Sequence, residues 1–329
     1  MKDICLFLLI FNLLSDSLVL TYQQDPSFYS QLLPFVRKDV INKILLLLPN
    51  RNNANILQMS NIMNKYKDEF SLNEAESAYL VYSWMGQNIE VDCDINNDED
   101  QFPVNVYNWE KGNYIGFAGL FYTFVSNLNI KVIPIQGKKK IIAPKIIDDA
   151  ITVVPHSWNS IFINDTYYLV DAAGGAGYCV KKFLRKNTDF YFGTKPELLI
   201  RTHFPDNNIW QLLDEKISHE TFDSWPFVHY RFYLEGFQTI SPFTNILDIT
   251  YHSKVTLTYD KKNTNLRISA NLVDYNVNYL DYNGRISVSN GKVEIELNSS
   301  LKNKYNLIIY AKQGDSSDKY LSILFFKVK

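Results

Sequence analysis

Three residues between positions 114 and 171 of this chain have the types and order of an acyl-transfer site. Gly112-Asn113-Tyr114-Ile115-Gly116-Phe117-Ala118 opens an apolar helix, His156-Ser157-Trp158-Asn159 supplies a histidine on a strand, and Leu169-Val170-Asp171 supplies an aspartate on the next. A nucleophile at a helix start feels the positive end of the helix dipole, a histidine takes its proton, and an aspartate orients the imidazole. The nucleophile that suits this plan is a cysteine. The residue at the helix start is Tyr114. A phenol has a reference pKa of about 10, against about 8.5 for a thiol, and its ring is larger and rigid. The plan lacks its thiol, and the sequence asks whether the chain is an enzyme at all.

The elements that must position these residues can be read from periodicity. Residues 33–48 carry an apolar helix pattern ending at Pro49-Asn50, and a second amphipathic stretch follows the loop at Arg51-Asn52-Asn53. Ser71-Leu72-Asn73-Glu74 has the form of a capping box. Behind it Ala75, Ala78, Tyr79, Tyr82 and Met85 recur at helical spacing, so a helix is expected to run to about Gly86. Residues 114–128 read as a buried helix, and residues 131–135, 158–163 and 167–171 as strands. Asn164-Asp165-Thr166 joins the last two as a hairpin, and the glycines of 174–177 end the final strand. This is an α+β core, a helix packed on an antiparallel sheet. After residue 228 helix patterns stop. Alternating runs at 254–259, 266–272, 285–288, 292–297, 305–311 and 320–328, with tight turns at Asn283-Gly284 and Asn290-Gly291, predict an all-β sandwich.

The chain has 329 residues, enough for about two domains. A net charge of -2 argues against nucleic acid as a main partner, since phosphate binding calls for a basic face. Residues 1–20 read as a secretory signal peptide: Lys2, then the apolar run from Ile4 to Leu14, too short to span a bilayer, then small Ser15 and Ser17. The mature chain is expected to have no transmembrane helix and to be secreted or in the secretory pathway. Removing the signal leaves Cys93 and Cys179, which form a disulfide in an oxidising compartment and remain thiols in a reducing one. Asn164 and Asn298 head glycosylation triplets. The acidic stretch 92–100 lacks the sixth-position glycine and twelfth-position glutamate of a calcium loop and reads as solvated. His203 and His219 read as structural, and His229 and His252 have no ligand spacing, so no metal and no cofactor are expected.

Taken together, the motifs resemble the transglutaminase-like superfamily, and within it the kyphoscoliosis peptidase family. The segments that carry the resemblance run from Tyr82-Ser83-Trp84-Met85-Gly86-Gln87-Asn88-Ile89, through the helix start at Gly112 and the two strands just quoted, to Asp189-Phe190-Tyr191-Phe192-Gly193-Thr194, His203-Phe204-Pro205 and Trp210-Gln211-Leu212-Leu213. The resemblance implies a transglutaminase-like (papain-like) domain over 71–228, preceded by a helical segment at 21–70 and followed by a β-sandwich domain over 229–329. It implies a Cys-His-Asp site whose cysteine position is Tyr114, with His156 and Asp171 as the remnant pair. A second departure lies nearby, because the family's Asp-x-x-Trp-Gly-Ala-Gly is here Asp171-Ala172-Ala173-Gly174-Gly175-Ala176-Gly177.

Three functions follow. The expected one is an inactive, secreted transglutaminase-like protein that binds other proteins. The second is an active peptidase or acyltransferase with a displaced nucleophile. The acidic run after Cys93 would raise its thiol pKa, and Cys179 follows a glycine-rich turn, so neither lies at a helix start. The third is a structural or adhesive protein working through the β-sandwich.

Overall fold

Two capped helices and a five-stranded sheet hold the first half of the chain. The computed structural model describes residues 24–94, 100–142, 151–179, 182–274, 279–282, 284–297, 305–313 and 321–328. The expected signal peptide at 1–20, the turn residue Asn283 and the glycosylation candidate Asn298 lie outside the described residues.

Helix α1 is Lys38–Leu47, α2 is Ile56–Glu69 and α3 is Glu74–Asn88. The helix expected over 33–48 begins only at Lys38. Leu33–Phe35 make a single 3-10 turn, and the extended Val36 separates it from α1. The capping box also shifts. Asn73, not Ser71, is the N-cap of α3 and pairs reciprocally with Glu76, while Ser71 takes a left-handed conformation. The Glu76 carboxylate also accepts from the Arg37 guanidinium, so tertiary pairing fixes the choice of cap.

Strand β1 (Glu90–Val91) pairs in parallel with β2 (Lys111–Gly112), with α4 (Pro103–Trp109) between them. Gly112 leads through Asn113 into α5 (Tyr114–Asn127), whose Phe117, Leu120, Phe121, Phe124 and Val125 are all fully buried. The main sheet has the order β8-β5-β4-β3-β9, from Phe192–Thr194, Thr166–Val170, Ile151–Ile163, Lys131–Ile142 and His203–Pro205. Strands β3 and β4 are longer than the sequence suggested. Residues 136–140 (Gln-Gly-Lys-Lys-Lys) show no apolar alternation, yet they pair in register with 153–157. The turn between β4 and β5 is Asn164-Asp165, both with positive φ, as a type I′ hairpin requires. The glycine-rich stretch after Asp171 is not a turn but a short helix, α6 (Ala172–Ala176), capped by Asp171 itself. It runs into β6 (Gly177–Cys179), which pairs with β7 (Phe183–Arg185).

Short helices α7 (Pro196–Leu199) and α8 (His219–Ser224) lead to β10 (Phe227–Val228) and to α9 (Tyr230–Leu234). Helical structure therefore persists past 228, because Tyr230, Phe232 and Tyr233 bury their rings. The rest is β structure in two sheets, antiparallel but for one short parallel pairing on the last strand. One has the order β10-β19-β18-β14-β15, with β12 also on β19; the other is β11-β13-β17-β16. The strands are β11 Phe237–Ser241, β12 Ile246–Leu247, β13 Lys254–Tyr259, β14 Leu266–Asp274, β15 Tyr279–Asp281, β16 Ile286–Ser289, β17 Lys292–Glu296, β18 Tyr305–Gln313 and β19 Leu321–Val328. Ile142 and Ile151, at the far end of the β3–β4 hairpin, pack against Phe227, Val273, Ile308 and Phe325 of the C-terminal sheet. Among the described residues no helix is long and apolar enough to cross a membrane.

Candidate functional site

The site lies where the start of α5 meets the middle of the main sheet. Asn113 fixes the helix start, its Oδ1 accepting from the N–H groups of Ile115 and Gly116 at 2.9 and 3.1 Å. Tyr114 is the first helical residue, and its ring centroid lies 5.7 Å from that of His156 at a tilt of 45°. The fold thus brings together the helix start and the histidine that the sequence marked, with the half-buried phenol ring of Tyr114 between them.

The strand register does the rest. Gly137 on β3 stands opposite His156 on β4, and Lys139 on β3 stands opposite His203 on β9. Cross-strand partners share a face, and so do residues two apart. His156, Lys139 and His203 therefore converge. Gly137 permits the close approach of β9, since a Cβ there would meet the Phe204 carbonyl oxygen at 2.3 Å. On the opposite face of β4, the buried Asn159 donates through Nδ2 to the Ala118 carbonyl at 3.1 Å, tying the strand to α5.

Asp171 is the hub. Its Oδ2 lies 2.9 Å from His156 Nε2, 3.0 Å from His203 Nε2 and 2.9 Å from Lys139 Nζ. Its Oδ1 accepts from the Gly174 N–H at 2.9 Å. Because His156 spends Nε2 on the carboxylate, Nδ1 is the nitrogen left for a nucleophile. His203 is turned by Thr202, whose Oγ1 lies 2.8 Å from His203 Nδ1. Trp158 packs beside both imidazoles, its ring centroid 6.1 Å from that of His156 and 5.4 Å from that of His203.

Burial dominates the electrostatics. It pushes the His156 imidazole below its usual range; the Lys139 ammonium adds to this, while Asp171 opposes it. His203 is pushed down to about 3 by burial, with Lys139 again acting in the same sense. Burial alone would raise the Asp171 carboxyl, but the Lys139 ammonium and the two imidazoles hold it well below the usual carboxylate range. At neutral pH the cluster therefore holds one carboxylate, one ammonium and two neutral imidazoles.

Sequence spacing offered no metal set, yet the fold assembles one group of the right type. The donor atoms of His156, Asp171 and His203 lie within 4.8 Å of one another. The Lys139 ammonium sits on the same carboxylate oxygen and opposes a second cation there. His203, read from sequence as structural, is part of the cluster. Lys139 was not singled out, and the only sequence signal for it is a lysine two residues beyond a strand glycine. The other histidines lie elsewhere: His219 pairs with Asp223 on the surface, His229 caps α9, and His252 lies 3.1 Å from the Asp248 carbonyl.

Cys93 and Cys179 are joined as a disulfide across 86 residues of sequence. Cys93 follows β1, whose partner β2 leads into the start of α5, and Cys179 ends β6, which leaves α6 and Asp171. The bridge links the two chain segments that carry Tyr114 and Asp171, and neither sulfur is a thiol. Arg185 on β7 closes the same corner by donating to the Gly86 and Ile89 carbonyls. Asn164 is exposed at its turn, with φ of 48°.

A β-rich C-terminal third behind a mixed helix-and-sheet domain defines the class, and the family match at the C-terminal end agrees with it. The family described as "KY-like, immunoglobulin-like domain" matches residues 219–329. The kyphoscoliosis peptidases of Mus musculus and Homo sapiens are each 26% identical to this chain over 262 residues. That match covers 78% of this chain and 38% of each relative, so the chain spans well under half the length of the proteins it resembles.

Proposed function

We propose that this chain is a transglutaminase-like protein of the kyphoscoliosis peptidase family that has lost catalysis and works in the secretory pathway by binding other proteins. The observation that carries this reading is the Tyr114 ring beside His156, where the acyl-transfer plan needs a thiolate. A phenol cannot take over that role, because its ring fills the approach to His156 and its proton is held more tightly than a thiol's. The reading with a displaced nucleophile is disfavoured by the disulfide, which consumes both Cys93 and Cys179. The same disulfide fits an oxidising compartment.

Thiol mapping tests the inactive reading. Iodoacetamide at about pH 6, where an ordinary thiol is almost unreactive, is read by peptide mass spectrometry on the purified protein. No rapid labelling at Cys93 or Cys179 is expected. Rapid labelling at either, slowed by His156→Ala, would overturn it. The binding role is tested by comparing partner capture by the intact protein with that by a Tyr114→Glu variant and by a chain lacking residues 230–329. Loss only on deletion favours the β-sandwich as the working surface.

A further inference from the structure

The second departure from the family pattern has a physical partner. At Gly174 a Cβ would lie 2.5 Å from Asp171 Oδ2 and 3.1 Å from Lys139 Nζ. Any side chain at 174 would displace both the carboxylate and the ammonium that meets it. The missing side chain at 174 and the lysine at 139 therefore form a matched pair, one leaving the space and the other filling it. The Lys139 side chain is only 16% exposed, and its Nζ lies 5.0 Å from the centre of the Tyr191 ring, which helps hold it over the carboxylate.

We infer that Lys139 is a positioning residue that acts as a built-in cation on Asp171, taking the charge that would otherwise stabilise a protonated His156 and so locking the remnant pair at a second point besides Tyr114. The inference rests on the inactive reading proposed above. In a working pair the aspartate stabilises the imidazolium that forms when histidine takes the nucleophile's proton. Here the same oxygen serves Lys139 at 2.9 Å, His156 at 2.9 Å and His203 at 3.0 Å. The groups around His156 can be named. Asp171 comes from the β5–α6 corner, Lys139 from β3, His203 from β9 and Tyr114 from α5, while Tyr191 lies beyond His203, 5.9 Å from its ring. The charged members are one carboxylate and one ammonium. The carboxylate still favours a proton on His156, and the Lys139 ammonium offsets part of that attraction. The burial that pushes His156 below its usual range acts in the same direction.

This predicts that restoring a thiol at 114 is insufficient. The test is a pH titration of the histidine Cε1–H signals by NMR on the full chain, comparing the native protein with Lys139→Gln, Lys139→Met and Lys139→Arg. The Gln variant keeps a hydrogen-bond donor and the Met variant keeps the apolar stem, so a folded uncharged form is available if either fails to fold. In the uncharged variants the His156 pKa is expected to rise by about one unit or more, a tenfold change in proton affinity. Lys139→Arg, which keeps the charge, is expected to leave it near the native value. In a Tyr114→Cys background, alkylation of the new thiol at about pH 6 is expected to be at least about tenfold faster once Lys139 is also replaced by Gln or Met. An unchanged His156 titration in a folded uncharged variant, or an equal shift in Lys139→Arg, overturns the lock. Acyl-transfer activity in the native protein would instead overturn the inactive reading, so the two failures are distinct.

Discussion

Acid should unfold this protein through His203 before it touches Asp171. His203 has a fully buried side chain, and burial, aided by Lys139, moves its pKa from 6.5 down to about 3. Between those two values the unfolded chain binds a proton that the folded chain refuses. Stability from this group is thus complete above the unfolded value and declines as pH falls from about 6.5 towards about 3. Integrated from pH 7 to pH 5, the loss is about 2 kcal/mol for this one residue, a large part of a typical stability of about 5–15 kcal/mol. His156 is shifted in the same direction and adds to the decline. Asp171 acts in the same sense but at lower pH: its depressed pKa means that its contribution is lost only as pH falls below the ordinary carboxyl value of 3.8, a separate window. The perturbation is His203→Gln, whose amide can still donate to Asp171 but does not titrate. Urea unfolding followed by tryptophan fluorescence at pH 7, 6, 5.5 and 5 reads the result. The variant is expected to lose about 2 kcal/mol less than the native protein between pH 7 and pH 5, whatever its stability at pH 7. An identical pH dependence in the two proteins would refute the assignment of a buried neutral imidazole at position 203.

Three further outcomes follow from the geometry. Replacing Cys93 and Cys179 together with alanine opens a loop closed across 86 residues, which by the chain-entropy relation costs about 4–5 kcal/mol, measured by denaturant unfolding. Gly174→Ala places a Cβ 2.5 Å from Asp171 Oδ2 and should cost about 1–3 kcal/mol by overpacking, while freeing His156 from its fixed position in NMR spectra. Asn159→Ala removes the bond to the Ala118 carbonyl, but Asn159 Oδ1 is itself buried without a partner, so the loss should sit near 1 kcal/mol rather than 3.

The order helix start, histidine strand, aspartate strand was legible because each element has a local signature. An apolar run begins at Tyr114, alternation surrounds Trp158, and a hairpin turn separates the two strands. The six alternating runs after residue 250 were legible for the same reason. Lys139 and His203 were not, because their importance depends on which strands become neighbours. Strand β9 has three residues and no periodicity of its own, and its place beside β3 is decided by the close approach at Gly137. The cap of α3 was misplaced by two residues because both Ser71 and Asn73 suit the role locally, and the choice falls to Arg37, distant in sequence. The glycines of 174–177 read as a break because the propensity rules cannot see that Asp171 Oδ1 caps a helix there.

The last strand has a consequence for how the chain is made. Residues 321–328 form β19, and that strand lies between β10 and β18 and also takes β12 along its edge. Two segments that leave the ribosome earlier, β10 and β12, have no strand partner until β19 is synthesised. The longer wait is that of Phe227–Val228, whose partners Phe325 and Leu324 come almost a hundred residues later. Pairing of such high sequence separation is slow, and unpaired strands are adhesive while they wait. Synthesis therefore leaves a period in which the part before residue 228, with its Asp171 cluster, can fold while the C-terminal sheet stays open, and chaperone capture of nascent chains should peak between residue 228 and residue 328.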